Sequence, residues 1–249
     1  MWLPMGKYFF KAENHMGSKV IIDDRTAHHM INVLRFRVGQ EVLLCDGAGN
    51  DYFAILESIT KPNSLVFEIT KIVPSIPEPA TVITLYQGIP KGEKMDWIIE
   101  KCIEVGVSKI IPVCTSRSVV KIKDAGKKAE RYSRIAESAA SQSMRGIVPE
   151  VTGPLSFEDA LNHGNNNDLH LAAYEKEETR TIKSSINNMQ PCSVSLWVGP
   201  EGGFEEKEVD EIINKKSALA ISLGPRVLRT ETAGIVAISQ ILCLWDGVK

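Results

Sequence analysis

Two loops rich in glycine and proline constrain this chain more than any other stretch. The first, Gly199-Pro200-Glu201-Gly202-Gly203-Phe204, follows an apolar run at 194–198 with strand character and precedes a helical pattern at 205–215. The second, Leu223-Gly224-Pro225-Arg226-Val227-Leu228-Arg229-Thr230-Glu231-Thr232, links runs at 219–223 and 230–244 in the same way. Both read as strand-to-helix turns, and in an α/β sheet such turns gather at the carboxyl ends of the strands, where ligands bind. Each also opens a helix whose free N–H groups attract negative charge. The glycines permit positive φ and close approach of a ligand, while Pro200 and Pro225 stiffen the turns. Neither loop has the G-x-G-x-x-G spacing of a dinucleotide site or the G-K-[ST] of a phosphate loop. Taken singly, each is equally well explained as a tight turn that holds no ligand.

Taken together and in this order, the two loops closely resemble the signature of the RsmE family, the 16S ribosomal RNA uridine-N3 methyltransferases of the SPOUT (α/β-knot) superfamily. The resemblance extends to Lys91-Gly92-Glu93-Lys94-Met95, to Lys101-Cys102-Ile103-Glu104-Val105-Gly106-Val107, and to His28-His29-Met30-Ile31-Asn32-Val33-Leu34-Arg35, so it covers nearly the whole chain. It implies an α/β fold: a C-terminal trefoil-knotted SPOUT methyltransferase domain with a small N-terminal PUA-like β-barrel. The knot rests on the resemblance alone, since true knots are rare and periodicity cannot reveal one. The resemblance also implies S-adenosylmethionine as cofactor, a uridine of 16S rRNA within a 30S particle as target, and a homodimer as the working form.

By the same resemblance three loops hold the cofactor: Ala173-Tyr174-Glu175 and the two described above. Adenine falls among backbone groups around Leu223, Gly224, Val227 and Leu228, while Gly199, Glu201 and Gly202 face the ribose and methionine portions. Thr230 and Thr232, at the start of the last helix, complete the set. The other reading of Glu201 is a helix-start carboxylate that touches no ligand. Methylation at N3 requires loss of a weakly acidic imide proton, so the site needs a base and a group to stabilise the anion. Arg229 is too basic to be the base but suits the anion; Glu231 either orients Arg229 or accepts the proton. The simpler reading of this pair is an ion pair fixing the first helical turn. RNA contacts are expected from Arg35, Arg37, Lys91, Lys94 and Arg145. Ser141-Gln142-Ser143-Met144-Arg145 departs from the family's usual E-Q-S-G-R at Ser141 and Met144.

Composition agrees with an enzyme of this kind without identifying it. The 249 residues, 43% hydrophobic and 24% charged, describe an ordinary globular chain with ample core. No apolar run reaches membrane-spanning length and no secretion signal opens the chain, so a cytoplasmic protein without membrane contact is expected. Five scattered cysteines lack a C-x-x-C pair and indicate neither disulfides nor a zinc site. His28 and His29, adjacent on a helical pattern, point about 100° apart and cannot share an ion; no metal is expected. The formal charge of −2 conceals a basic run from Arg117 to Arg134, seven basic residues against Asp124 and Glu130. Such a run is either a phosphate-binding face or a solvated helix.

Element by element, strands are expected at 7–11, 20–23, 41–46, 52–60 and 65–73, with a helix at 26–34 and a hairpin turn at 46–51. Arg35, Phe36 and Arg37 after that helix suit phosphate binding and base stacking, or are an ordinary charged rim. Three prolines in 74–79 mark a linker, which divides the chain into a barrel at 1–74 and a methyltransferase domain at 80–249. Beyond it strands at 81–86, 109–113, 168–173, 194–198 and 219–223 alternate with helices at 94–105, 127–143, 157–161, 179–187, 205–215 and 230–244. That alternation predicts a parallel sheet with helices on both faces.

Overall fold

The structure, a computed structural model, describes residues 6–60, 64–76, 78–118, 124–163, 167–185 and 191–245. Lys121 and Lys123 of the basic run, and the end of the helix expected at 179–187, lie outside them. The chain divides into two compact units, one of Met1–Glu78 with Ala140–Val148, the other of Pro79–Ala139 with Pro149–Lys249. The linker at 74–79 anticipates the first crossing but not the return at Ala140–Val148.

The first unit contains β1 (Lys7–Phe9), β2 (His15–Met16), β3 (Lys19–Ile22), α1 (Arg25–Asn32), β4 (Glu41–Cys45), β5 (Asn50–Thr60) and β6 (Ser64–Pro74). They form one sheet in the order β1-β4-β5-β6-β3-β2, antiparallel except for β1 on β4. Register shifts near Phe53 and Leu56 bend the long β5–β6 ribbon, and its inner face closes over Val20, Ile22, Leu44, Leu56, Leu65 and Phe67. The Asp24 carboxylate accepts the Thr26 N–H at 2.8 Å and starts α1, which buries Ala27 and Met30. Leu34, inside the helix expected at 26–34, falls beyond α1 and is exposed.

The returning segment is tied to this unit by polar contacts. Lys7 is fully buried and pairs with Asp51 at 2.7 Å; the Ser75 hydroxyl donates to the same carboxylate at 2.5 Å. Ser141 donates its hydroxyl proton to the Lys7 carbonyl, and the Cys45 thiol reaches the Gly146 carbonyl at 3.4 Å. A Cβ on Gly146 would lie 2.5 Å from that of Ser75, so only glycine fits there. Met144 has φ 61°, in the left-handed region. Glycine takes that conformation without strain, a physical reason for the family's glycine at this point.

The second unit runs β7 (Val82–Gly88), α2 (Lys94–Val105), β8 (Lys109–Cys114), α3 (Ala125–Gln142), β9 (Glu150–Val151), β10 (Leu155–Ser156), α4 (Phe157–Asn162), β11 (Leu169–Ala173), β12 (Ser193–Val198), α5 (Glu206–Lys216), β13 (Leu219–Ile221) and α6 (Thr230–Trp245). Its sheet is wholly parallel in the order β10-β8-β7-β12-β11-β13, with β9 also on β8. Nearly every residue of β7, β8 and β12 is buried, as a sheet covered on both faces requires. On one face Tyr86, Ile111, Ala172 and Trp197 pack with α4 and α5. On the other, α6 lies against α2 and β7 and buries Ala233, Ala237, Ile238, Ile241 and Leu242, while Ile235 and Trp245 are half-buried. Where a helix was expected from 179, the described residues form a 3-10 turn at Lys183–Ser185. Thr181 and Ser184 bond each other's backbone through their hydroxyls, at 2.9 and 3.1 Å, and so compete with the helical ladder.

Under α4 and α5 the sheet buries polar groups. Tyr86 stacks on Trp197 at 4.1 Å, donates to the His163 carbonyl at 3.1 Å, and has its hydroxyl pushed up to about 12 by burial. Burial first, then Lys109 and Lys216, hold His163 below its ordinary value; burial, then Lys216, do the same for His170. Above the ordinary value of 6.5 neither histidine affects stability, because folded and unfolded chains are both neutral there. Below it the unfolded chain takes up protons that the folded chain refuses, so stability falls with pH. Urea unfolding should therefore show lower stability at about pH 5.5 than at about pH 7.5, and His170→Gln should flatten part of that slope.

Candidate active site

A cleft of about 740 Å³ opens at the carboxyl ends of β11, β12 and β13. Three loops wall it, at 173–178, 199–203 and 222–229, together with Lys94 and the first turn of α6. Ala173, Gly199, Glu201, Leu223, Gly224, Val227, Leu228, Arg229, Thr230, Glu231 and Lys94 all line it. Gly202 and Thr232 do not. Gly202 turns toward Arg117, whose guanidinium donates to its carbonyl and whose Cδ lies 3.2 Å from the position of an added Cβ. Thr232 is two residues, about 200° of helix, past Thr230, and so points away from the wall that Thr230 makes.

The two glycine-rich loops are locked together through a buried glutamine. Gln87, near the end of β7, donates to the Thr230 hydroxyl at 2.9 Å and to the Gly88 carbonyl at 3.0 Å; Thr230 in turn donates to the Gly199 carbonyl at 2.5 Å. One amide thus joins the start of α6 to the end of β12. Gly88 allows the close packing this needs, since a Cβ there would lie 2.5 Å from the Pro200 ring. Sequence reasoning missed Gln87, although a glutamine in an otherwise apolar strand run was a visible signal. Gly203, at φ 67°, completes the turn with its N–H on the Pro200 carbonyl at 2.9 Å. Phe204 is buried in the core behind it, and Glu205 and Glu208 cap α5 reciprocally. Glu177 on the facing loop accepts the Arg180 and Thr179 N–H groups and the Thr179 hydroxyl, which hold its carboxyl at about 2.

Two carboxylates of the cleft, Glu201 and Glu231, face Lys94. Its ammonium lies 2.9 Å from Glu201 and 3.7 Å from Glu231. Both oxygens of Glu201 also lie 3.2 Å from the Lys91 N–H. Burial pushes the Glu201 carboxyl up, but the hydrogen bond from Lys94 and those from backbone N–H groups outweigh it and hold the carboxyl below its usual value. The Glu201 bond likewise raises Lys94. Arg229, 83% exposed, reaches only to 4.0 Å from Glu231, so the ion pair expected between them is loose. Val227 presents its side chain to solvent, 94% exposed, at the rim.

The residues expected to meet RNA are placed unevenly. Arg35 and Arg37 are exposed, but Phe36 packs edge-on against Tyr8 at 5.7 Å and is half-buried, which removes it as a free stacking platform. Arg145 is 10% exposed and binds Glu78 through Nε, at 3.0 Å, and Nη2; its charge is engaged within the first unit. Lys94 faces Glu201 and Glu231, and Lys91 meets Glu201 through its backbone.

A covered parallel sheet with a three-loop cleft at its carboxyl edge, in a chain that also carries a β-rich unit, defines a class. The family model described as an RNA methyltransferase domain matches residues 77–242, and one described as an RNA methyltransferase PUA domain matches 22–70. Ribosomal RNA small subunit methyltransferase E of Bacillus subtilis is 37% identical over 95% of this chain and 96% of its own length; that of Rickettsia conorii is 31% identical over 94% and 92%. The crystal structure of the same enzyme from Neisseria gonorrhoeae, bound to S-adenosyl methionine, superposes with a TM-score of 0.85 at 31% identity over 97% of this chain and 98% of that one. The chain belongs to the ribosomal RNA small subunit methyltransferase E family.

Gln87, Thr230 and Gly199 hold the cleft in one shape, so Thr230→Val should leave buried polar groups unpaired. A loss of about 1–3 kcal/mol in chemical unfolding is expected.

Proposed function

We propose that this protein transfers a methyl group from S-adenosylmethionine to N3 of a uridine in 16S rRNA of the small ribosomal subunit. The observation that carries the reading is the three-loop cleft, where Glu231 and Arg229 stand among loop backbone, apolar side chains such as Leu223 and Leu228, and further charged groups including Lys94 and Glu201. Its residues suit the cofactor. Leu223, Leu228, Ile221 and Ala233 offer apolar walls to a flat heterocycle, loop N–H and C=O groups can read its edge, and Glu201 would supply a carboxylate to the ribose hydroxyls or to the positive charges of the cofactor. When bound, the cofactor supplies a methyl carbon whose bond to sulfur breaks as the bond to N3 forms. This chain's own residues orient the uracil and manage its proton. Arg229, free on the rim, stabilises charge gathering on the uracil carbonyl oxygens; Glu231 takes the N3 proton.

The first unit, with Arg35 and Arg37 exposed, is assigned to RNA capture. The trefoil knot belongs to this reading, in keeping with the placement of β12 between β7 and β11. A cytoplasmic homodimer acting on a 30S particle completes it.

Titration calorimetry with S-adenosylmethionine, followed by mass spectrometry of 16S rRNA after incubation, tests the reading; failure to bind or to yield N3-methyluridine ends it. Arg229→Ala should lower transfer by about 10²-fold while leaving cofactor affinity nearly intact. Turnover unchanged by that substitution removes Arg229 from the chemistry.

A further inference from the structure

The 199–203 loop has little of its own with which to hold a shape. Gly199, Gly202 and Gly203 carry no side chain, and glycine has the widest backbone freedom of any residue. Gln87 and Thr230 reach only its first residue, Gly199. On the cleft side Glu201 ties it to Lys94 at 2.9 Å and to the Lys91 N–H at 3.2 Å. Away from the cleft stands Arg117, whose guanidinium donates to the Gly202 carbonyl. That carbonyl and the Gly203 N–H belong to one peptide plane, and the N–H donates to the Pro200 carbonyl at 2.9 Å. Both ends of the plane are thus engaged, which fixes how the loop turns.

Arg117 is itself held in place from below. It lies in the turn after β8, where the Ser118 N–H donates to the Thr115 carbonyl at 3.0 Å and the Thr115 N–H donates to the Ser118 hydroxyl at 3.1 Å. Glu208 of α5, buried, joins that turn to the far end of the loop. One of its carboxylate oxygens accepts the Ser116 N–H at 2.8 Å and the other accepts the Glu205 N–H at 2.9 Å. We infer that Arg117 is a positioning residue of the cofactor site: it sets the Gly202–Gly203 peptide from behind, so that Glu201 and the loop backbone face S-adenosylmethionine in one arrangement before it binds. Order already present in the free protein need not be gained on binding, so affinity rises. Arg117 acts through the backbone and not by touching the cofactor. One member of the basic run is thereby tied to the cleft and is more than a surface charge.

Gly202 supplies a second way to disturb the same contact. Its φ lies outside the left-handed region, and the atoms nearest to an added methyl all belong to Arg117, the Cδ at 3.2 Å. Alanine there can keep the backbone and displace the arginine. In calorimetric titration with S-adenosylmethionine, Arg117→Ala should weaken Kd about tenfold, and Arg117→Lys, which keeps a donor, should recover part of the loss. Gly202→Ala should weaken binding by a similar factor, and the double variant should bind no worse than Arg117→Ala alone. An unchanged Kd in Arg117→Ala, or losses that multiply to about a hundredfold in the double variant, overturns the inference. The inference rests on the methyl-transfer reading, but a further readout does not: in the free protein the Gly203 amide should exchange its hydrogen about tenfold faster in Arg117→Ala than in the wild type. Failure of the wild type to bind S-adenosylmethionine refutes the reading of function. Unchanged exchange at Gly203 overturns the part given to Arg117, whether or not the cofactor binds.

Discussion

The site depends on one buried hydrogen-bond chain, Gln87 to Thr230 to the Gly199 carbonyl. Three segments far apart in sequence meet there: the end of β7, the turn after β12, and the first turn of α6. A buried amide and hydroxyl are costly unless partnered, so this arrangement has few near-equivalents and the loops cannot drift apart cheaply. Gly88 and Gly199 allow the backbones to approach closely enough for the bonds to form. The cleft is therefore rigid because its walls share hydrogen bonds, with apolar packing of α6 on α2 and β7 behind them.

Charge is added to that scaffold with economy. Lys94 lies between two carboxylates from different elements, one within hydrogen-bond distance and one beyond it. Glu201 is tied by side chain and backbone, while Glu231 has a buried oxygen without a hydrogen-bond donor among the described residues. Arg229, just before Glu231 in the chain, remains in solvent.

The first unit solves another problem by similar means. Its β-sheet has an apolar interior, but the segment Ala140–Val148 is secured by Ser141, Gly146 and Arg145. Arg145, read from sequence as an RNA contact, is instead taken up by Glu78. A long arginine near several proline-flanked carboxylates gives no local clue to which partner it takes. Met144 shows the complementary case: the family's glycine at that point was legible as a departure, and the left-handed φ supplies the reason.

Much of the secondary structure was legible because periodicity and capping are local. α2 was read with its final limits, ended by Gly106 at φ 111°, and α4 was read to within one residue, starting where the Ser156 hydroxyl caps it. The loops of the cleft could be named because glycine and proline mark sharp turns wherever they stand. What the sequence by itself determined was thus the class of fold and the segments that carry the site. Strand order, the burial of Gln87, the turning of Gly202 toward Arg117 and the sharing of Lys94 by Glu201 and Glu231 were decided only by tertiary structure. The physical reason is range. Propensity and periodicity act over a few neighbours, whereas each of these features is a contact between residues tens of positions or more apart, fixed by which strand lies beside which.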